Sequence, residues 1–436
     1  MSGIRRVVIT GFGLISPLGN SPEALWNALQ QRRSGVVRLS SLPVDSLPIQ
    51  CGGEARDFTG DIGDFGPLDK AKTRAIKRGR KLMCREIQMG VAAAQLALDH
   101  AGLSEDIRNP ERTGVVFGSD YIMTTPFEFV DGIGACLNDD GTFDFDRWGV
   151  DGREKVDPLW LLKFLPNMPA SHITIYNDLR GPNNSITLRE ASANLSLGEA
   201  YCTISRGSAD AIVAGATGTR VHPLRTLHVI LQEELAAPNG VAPEQLSRPF
   251  DAGRSGMVIG EGAGAIALEE LETAQRRNAT IYGEVVGYGS STVMSRRGEP
   301  NCGLAVENAI RQSLATAKCA ADSVGHVHAH GNSSLRQDAQ EAQAIRRVFG
   351  DNTPPVTALK SYTGNLGAGA GVVEAICSIQ CLNANQLAPV LNFETPDPEC
   401  PIAVNQDWST PAGDSFVNVN FSPQAQASAV LIKRFE

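Results

Sequence analysis

Two stretches far apart in this chain carry the same pattern. Arg6-Val-Val-Ile-Thr-Gly-Phe-Gly-Leu14 is an apolar run ending in glycines, and Ile281-Tyr-Gly-Glu-Val-Val-Gly-Tyr-Gly289 repeats the theme. Each predicts a buried strand ending in glycines. The echo predicts that the 436 residues form two related halves joined near residue 275. Between these strands, Ser21-Pro-Glu-Ala-Leu-Trp-Asn-Ala-Leu29 reads as a helix with its own N-cap. Small residues from Ile87 to Leu103 predict a helix that packs closely on a neighbour, and Asp210-Ala-Ile-Val-Ala-Gly-Ala-Thr217 predicts another buried strand. Alternating strands and helices make this an α/β protein.

A second stretch concentrates the chemistry. In Arg180-Gly-Pro-Asn-Asn-Ser-Ile-Thr-Leu188 a Gly-Pro turn leads into a short strand, and from Ala191 small and apolar residues recur at helical spacing. The chain therefore bends sharply near Glu190, from strand into buried helix. Such a bend suits a nucleophile or an anion, because unpaired N–H groups and the helix dipole favour negative charge there.

Composition narrows the function classes. Hydrophobic residues make up 42% and charged residues 20%, enough for a sizeable core. No apolar run approaches the roughly 18 residues that span a bilayer. Met1-Ser-Gly-Ile-Arg-Arg6 runs straight into strand-like Val7-Val-Ile-Thr10 without a signal-peptide pattern, so a cytosolic protein is expected. Nine scattered cysteines with no close CxxC pair suggest neither a disulfide framework nor a zinc site. A net charge of −9 argues against a nucleic-acid partner.

One segment opposes that balance. Residues 69–86 carry eight positive charges, Lys70, Lys72, Arg74, Lys77, Arg78, Arg80, Lys81 and Arg85. The first seven form either a solvated helix face or a landing site for an acidic partner, with charge steering the encounter. Residues 114–165 combine a strand ending in Gly118-Ser119, an irregular Asp- and Gly-rich stretch over 132–153, and an apolar run that starts at Pro158.

Several motifs together resemble a known family. Asn167-Met-Pro-Ala-Ser-His-Ile-Thr-Ile175, Leu179-Arg-Gly-Pro182 and Glu190-Ala-Ser192 are similar to the nucleophile segment of the β-ketoacyl-acyl-carrier-protein synthases, the condensing enzymes of fatty-acid and polyketide assembly. The most specific signature is Ser247-Arg-Pro-Phe-Asp-Ala-Gly-Arg-Ser-Gly-Met-Val-Ile-Gly-Glu-Gly-Ala-Gly-Ala-Ile-Ala-Leu268, which departs from the family pattern at Ser255 and Met257. The resemblance implies a thiolase-like, five-layered α-β-α-β-α fold of two halves, 1–275 and 276–436, with insertions about 120–165 that cap the acyl tunnel and help build a dimer. It implies an acyl carrier protein as partner, docking near 70–81 and delivering the phosphopantetheine arm, with no resident cofactor and no metal.

Aligned on Gly181-Pro182, the family's catalytic cysteine falls on Glu190. A carboxylate there cannot hold an acyl group as a thioester, but it can accept the N–H groups of the bend and complement the helix dipole. Cys202 lies 12 residues further along the same helix, roughly 18 Å away, too far to substitute. His326-Val-His-Ala-His330 brings His330 onto the family's first catalytic histidine, with Asp338 and Glu341 as supporting acids; a metal reading of His326, His328 and His330 lacks accompanying ligands. Lys360 and Glu374 match the second histidine motif, but Asn365 stands for the histidine itself, and an amide cannot become a cation. Asn418-Val-Asn-Phe-Ser-Pro-Gln-Ala-Gln-Ala427 aligns with the family's Gly-Phe-Gly-Gly loop and keeps little beyond Asn418: Phe421 precedes Ser422 at the gate position and Pro423, which lacks an N–H.

Three catalytic elements are thus altered together. The resemblance then implies a member unable to condense alone, acting as a chain-length-factor-like partner of a cysteine-bearing synthase. Two other readings stay open: a malonyl or acyl-carrier decarboxylase or thioesterase using His330, and a non-catalytic homodimer that binds acyl groups or carrier.

Overall fold

The computed structural model describes residues 5–237 and 240–435; the leader-free reading of residues 1–4 lies outside them. In chain order the strands are β1 (Val7–Ile15), β2 (Val36–Arg38), β3 (Cys51–Gly53), β4 (Thr113–Ser119), β5 (Asn183–Thr187), β6 (Ala211–Thr219), β7 (Ile259–Glu270), β8 (Gly283–Thr292), β9 (His326–His328), β10 (Val356–Thr357), β11 (Ser415–Phe421) and β12 (Gln426–Lys433). The helices are α1 (Pro22–Gln30), α2 (Lys70–Gly79), α3 (Arg85–His100), α4 (Val130–Ala135), α5 (Met168–Asn177), α6 (Ser192–Ser205), α7 (Pro223–Gln232), α8 (Leu271–Arg276), α9 (Cys302–Ala317), α10 (Leu335–Phe349), α11 (Lys360–Thr363) and α12 (Ala370–Ala384).

The strands repeat one topology twice. The first part runs β5-β4-β6-β7-β1 and the second β10-β9-β11-β12-β8. In both, the first and last strands in the chain pair antiparallel and the inner ones pair parallel, as β1 with β7 and β4 with β6, then β8 with β12 and β9 with β11. Residues 7–9 of β1 pair with residues 283–285 of β8 and join the two sheets edge to edge. The two glycine-punctuated runs read from the sequence are therefore equivalent strands at the seam.

Helices fill three layers around the sheets. α6 packs on β4 and β6 of one sheet and on β12 and β8 of the other, and α12 likewise touches β7 and β11. α3 and α5 cover the outer face of the first sheet, and α9, backed by α10, covers the second. α12 is mostly apolar and buried along nearly its whole length, as a helix between two sheets must be, with Glu374 and Ser378 among its buried residues. Each central helix starts where its sheet presents the carboxyl ends of parallel strands, which is where ligands bind in such sheets.

Local chemistry explains the ends. Ser21 accepts the N–H of Ala24 and caps α1, as the sequence predicts, and Asp69 accepts that of Lys72 and caps α2. Residues 120–165, expected as a cap, form α4 and short helical turns held by an aromatic cluster in which Phe129 meets Trp148 and Trp160. Strand β5 pairs only with β4 and ends the sheet.

Candidate functional site

The bend at Glu190 is a single tight turn, Arg189–Ala191, between β5 and α6. Arg189 sits in the left-handed region with φ 52°, a conformation that costs a non-glycine residue about 1–2 kcal/mol. The reason it persists is its side chain. Arg189 is part-buried, its side chain 11% exposed, and donates to Glu233, which follows α7, while Arg220, at the end of β6, donates to both Glu233 at 2.9 Å and Glu190. Arg189 Nε also faces Glu190 Oε2 at 3.5 Å, within ion-pair but not hydrogen-bond geometry.

Two arginines and two glutamates thus fill the elbow. Arg220 is fully buried and Glu190 is 1% exposed. Burial pushes the Glu233 carboxyl up, but Arg220 and Arg189 outweigh it and hold it below the usual range. The expectation that Glu190 takes backbone N–H groups of the bend is corrected: its hydrogen-bond donors are the Arg220 guanidinium and the Asn365 amide, at 3.2 Å from Asn365 Nδ2. The charged fork of an arginine is a stronger donor than a peptide N–H, and it reaches the carboxyl from across the sheet.

Asn365 comes to Glu190 from the second half. It precedes the turn Gly367–Gly369 that opens α12, and its Oδ1 accepts the Gly367 N–H at 2.9 Å. Its Nδ2 also lies 3.1 Å from Met257 Sδ and 3.1 Å from Asn332 Oδ1. The N-termini of both central helices therefore converge on Glu190, a second reason for an anion there.

His330 lies just past the end of β9, buried, with its ring 4.6 Å from that of Phe421. Lys360 Nζ donates to His330 Nδ1 at 3.2 Å, to the His330 carbonyl at 2.9 Å and to Glu374 at 2.5 Å. An ammonium has no acceptor, so Nδ1 accepts and the proton of the neutral ring sits on Nε2. Burial first, then Lys360, Arg220 and Arg189, hold its pKa well below the ordinary histidine value. The ring is a neutral donor through Nε2–H, suited to polarise a carbonyl. Glu341 accepts the N–H groups of His330 and Gly331, and Asp338 those of Asn332 and Phe250, so both acids hold the loop rather than face a ligand.

The last hairpin closes the site from beneath. Asn418 Nδ2 donates to Asn194 Oδ1 on α6 and to the Gly371 carbonyl on α12, both at 2.8 Å. Asn420 donates to Glu374 at 2.7 Å. Ser422 and Pro423 make the tight turn between β11 and β12, with Ser422 wholly buried and its N–H bonded to the Gln426 carbonyl. The region read as an altered gate is a closed β-turn.

The remaining sequence candidates fall into structural places. His326 and His328 share Ser378: the Leu359 N–H donates to His328 Nε2, His328 Nδ1 lies 2.7 Å and His326 Nε2 2.9 Å from Ser378 Oγ, and His326 Nδ1 meets the Ala412 carbonyl. One relay satisfies both rings as neutral imidazoles, and burial pushes the His326 pKa down to about 4. Among the described residues no group of three or more His, Cys, Asp or Glu is arranged to hold a metal. Cys202 sits on α6, half-buried, with its thiol pushed up by burial. Lys70, Arg74, Lys77, Arg78 and Lys81 lie on and after α2 at the surface, whereas Lys72 pairs with Glu105 at 3.0 Å and Arg80 with Asp61 at 3.6 Å.

Sequence reading missed Arg189, Arg220 and Glu233. A signal was available for Arg220: a lone charge directly after the buried strand Ala211–Thr219 has to find a partner. Glu233, 13 residues on, had no such mark.

Comparison with known proteins agrees with this architecture. Residues 4–274 match the family model of the beta-ketoacyl synthase N-terminal domain and residues 282–394 that of the C-terminal domain. The chain is 34% identical over 400 residues to the 3-oxoacyl-(acyl-carrier-protein) synthase 2 of Coxiella burnetii, covering 91% of this chain and 90% of that protein. A beta-ketoacyl synthase crystal structure from Burkholderia phymatum superposes with a TM-score of 0.84 at 28% identity, over 99% of this chain and 100% of that one. The ishigamide ketosynthase/chain length factor superposes with a TM-score of 0.82 at 25% identity over 100% of both.

Proposed function

Because the chain belongs to the β-ketoacyl synthase family of fatty-acid and polyketide biosynthesis, we propose that it is a non-condensing member, acting as the chain-length-factor-like partner of a cysteine-bearing synthase. The observation that carries this is Glu190 at the elbow, buried and ion-paired to Arg220. Condensation needs an acyl group held on a nucleophile and room for it to react. Here the nucleophile's place is taken by a carboxyl whose oxygens face two arginines and an amide, and an acyl-glutamyl anhydride is prone to hydrolysis. The surface cations of α2 suit an acidic acyl carrier protein, which would bring its own phosphopantetheine arm.

A second reading rests on the retained Lys360–His330 contact. A neutral Nε2–H donor beside a carbonyl can assist malonyl decarboxylation without a thiol, which the same assay detects.

The test is co-expression and pull-down with a cysteine-bearing synthase encoded beside this chain, followed by malonyl-carrier condensation and decarboxylation assays on the single protein and the pair. A stable heterodimer in which only the pair condenses is the expected outcome. Condensation by the single protein overturns the proposal; carbon dioxide release by it, without β-ketoacyl product, favours the decarboxylase.

A further inference from the structure

A cleft of about 350 Å³ opens where the start of α2, the C-terminal end of α3, the loop that follows α3 and the end of α5 come together, among the helices that cover the outer face of the first sheet. Neither Glu190 nor His330 is among its walls. Three buried polar atoms of its lining residues have no hydrogen-bond partner among the described residues: Gln95 Nε2 on α3, Arg108 Nε in the loop and Asn177 Oδ1 on α5. These residues are 5%, 8% and 1% exposed, a depth at which polar groups are normally paired.

The bonds these side chains do make fix what they lack. Asn177 Nδ2 donates to the Ile173 carbonyl at 2.9 Å, so the end left over, Oδ1, is an acceptor. Arg108 donates through Nη1 to the Leu103 carbonyl at 2.6 Å and through Nη2 to the Asn177 carbonyl, which leaves its Nε–H as a donor. The Gln95 amide can turn either end to the cleft. A hydroxyl, which both gives and accepts, suits all three. The rim carries charge of one sign. Asp69, Asp99, Glu105 and Asp106 line the cleft against Lys72 and Arg108. Both cations pair with Glu105, at 3.0 and 3.6 Å, and among the described residues Asp69, Asp99 and Asp106 have no cation within ion-pair distance. The Lys72 N–H holds the Asp69 carboxyl below its ordinary range, and the Ser104 hydroxyl does the same for Asp106. Gln95 and Asp99 stand one turn apart on α3, the first buried and the second exposed, so a hydrogen-bonding floor lies beneath an acidic mouth.

We propose that this cleft binds a hydroxylated amine of about the size of a hexose, with its hydroxyl groups on Gln95, Arg108 and Asn177 and its ammonium beside Asp99. Hydroxyl oxygens take the Arg108 Nε–H, and hydroxyl hydrogens go to Asn177 Oδ1. The carbon skeleton rests on Leu98 and Leu103. A polyamine without hydroxyls brings no acceptor for Arg108, and an anion meets three carboxylates that no cation neutralises. Both features have to come in one molecule.

The test uses the full chain at about pH 6, where an amine is protonated and the rim carboxylates are ionised, with three probes: glucosamine, glucuronate and butane-1,4-diamine, titrated by calorimetry or ligand-observed NMR. Glucosamine should saturate one site at least about tenfold more tightly than either of the others, a gap of roughly 1.4 kcal/mol. Gln95→Leu, which removes the amide from the floor, and Asp99→Asn, which removes the charge at the mouth, should each weaken glucosamine several-fold. The Asp99 carboxylate is exposed and has no hydrogen bond or ion pair among the described residues, so Asp99→Asn leaves the fold intact and keeps the test decisive even where Gln95→Leu misfolds. Absence of saturable glucosamine binding, equal or tighter binding of glucuronate or the diamine, or full glucosamine affinity in a folded variant each overturn the assignment. None of these readouts involves carrier, partner subunit or condensation, so the site stands or falls separately from the proposed function.

Discussion

Two turns of this molecule occupy matching positions in its repeated topology and are built in opposite ways. Arg189–Ala191 leads into α6 and Gly367–Gly369 into α12, and each opens on a residue in the left-handed region, Arg189 at φ 52° and Gly367 at φ 62°. Glycine adopts that conformation freely; arginine does not. The second turn is therefore held by its backbone, and the first by the side chains of Arg189, Arg220, Glu190 and Glu233. The two meet where Asn365 touches Glu190. The same fold position can be stabilised by conformational freedom or by buried charge, and only the second kind fills the site it surrounds.

The sharpest way to break that comparison is Arg220→Ala. It leaves Glu190 and Glu233 buried with Arg189 as their remaining cation, and the expected loss is about 3–5 kcal/mol in urea denaturation. A loss below about 1 kcal/mol would mean that charge does not hold the elbow.

Next in size is a pH effect confined to the second half. Burial raises the Glu341 pKa from 4.5 to about 8, so the folded state keeps a proton that the unfolded state has released. The stability Glu341 contributes is complete below pH 4.5 and drains away as pH rises through about 8. His326 acts in the other direction: with its pKa down from 6.5 to about 4, its contribution is present above pH 6.5 and lost as pH falls through about 4. Measured by denaturation at several pH values, the wild type should lose stability relative to Glu341→Gln steadily from pH 4.5 to 8. A difference that does not change with pH would refute this.

Gly367→Ala tests the backbone-held turn by itself. A Cβ there meets only ordinary contacts, the nearest atom being Gly218 Cα at 3.6 Å, so the cost is the left-handed strain alone, about 1–2 kcal/mol. Thermal unfolding should report it, and a cost matching that of Arg220→Ala would erase the contrast. Smallest of all, Ala425→Gly should stabilise the last hairpin by about 1 kcal/mol at most, because Ala425 has φ 57° and its side chain is buried without a polar partner to lose. A destabilised variant would show that the methyl's packing outweighs the strain.

Much of this was legible in the residue order. The strands at Val7–Ile15 and Gly283–Thr292, the cap at Ser21, the bend at Glu190 and the cluster of His330, Lys360 and Glu374 all follow from local pattern or motif. What surrounds Glu190 was not. Its partners lie 30 residues away at Arg220 and 175 away at Asn365, on different elements and in different halves. The closed turn at Ser422 and Pro423 was likewise hidden, since proline marks a turn but not the burial of its neighbour.

The sequence by itself determined the two-fold repeat of strands, the glycine and cap positions, and the placing of a carboxyl, Glu190, at the bend, because periodicity, backbone freedom and chemical identity are properties of neighbouring residues. Only the tertiary structure decided that this carboxyl answers to Arg220 and Asn365 rather than to peptide N–H groups. Such pairings depend on which strand ends are brought side by side when the sheet forms, and no local pattern records that.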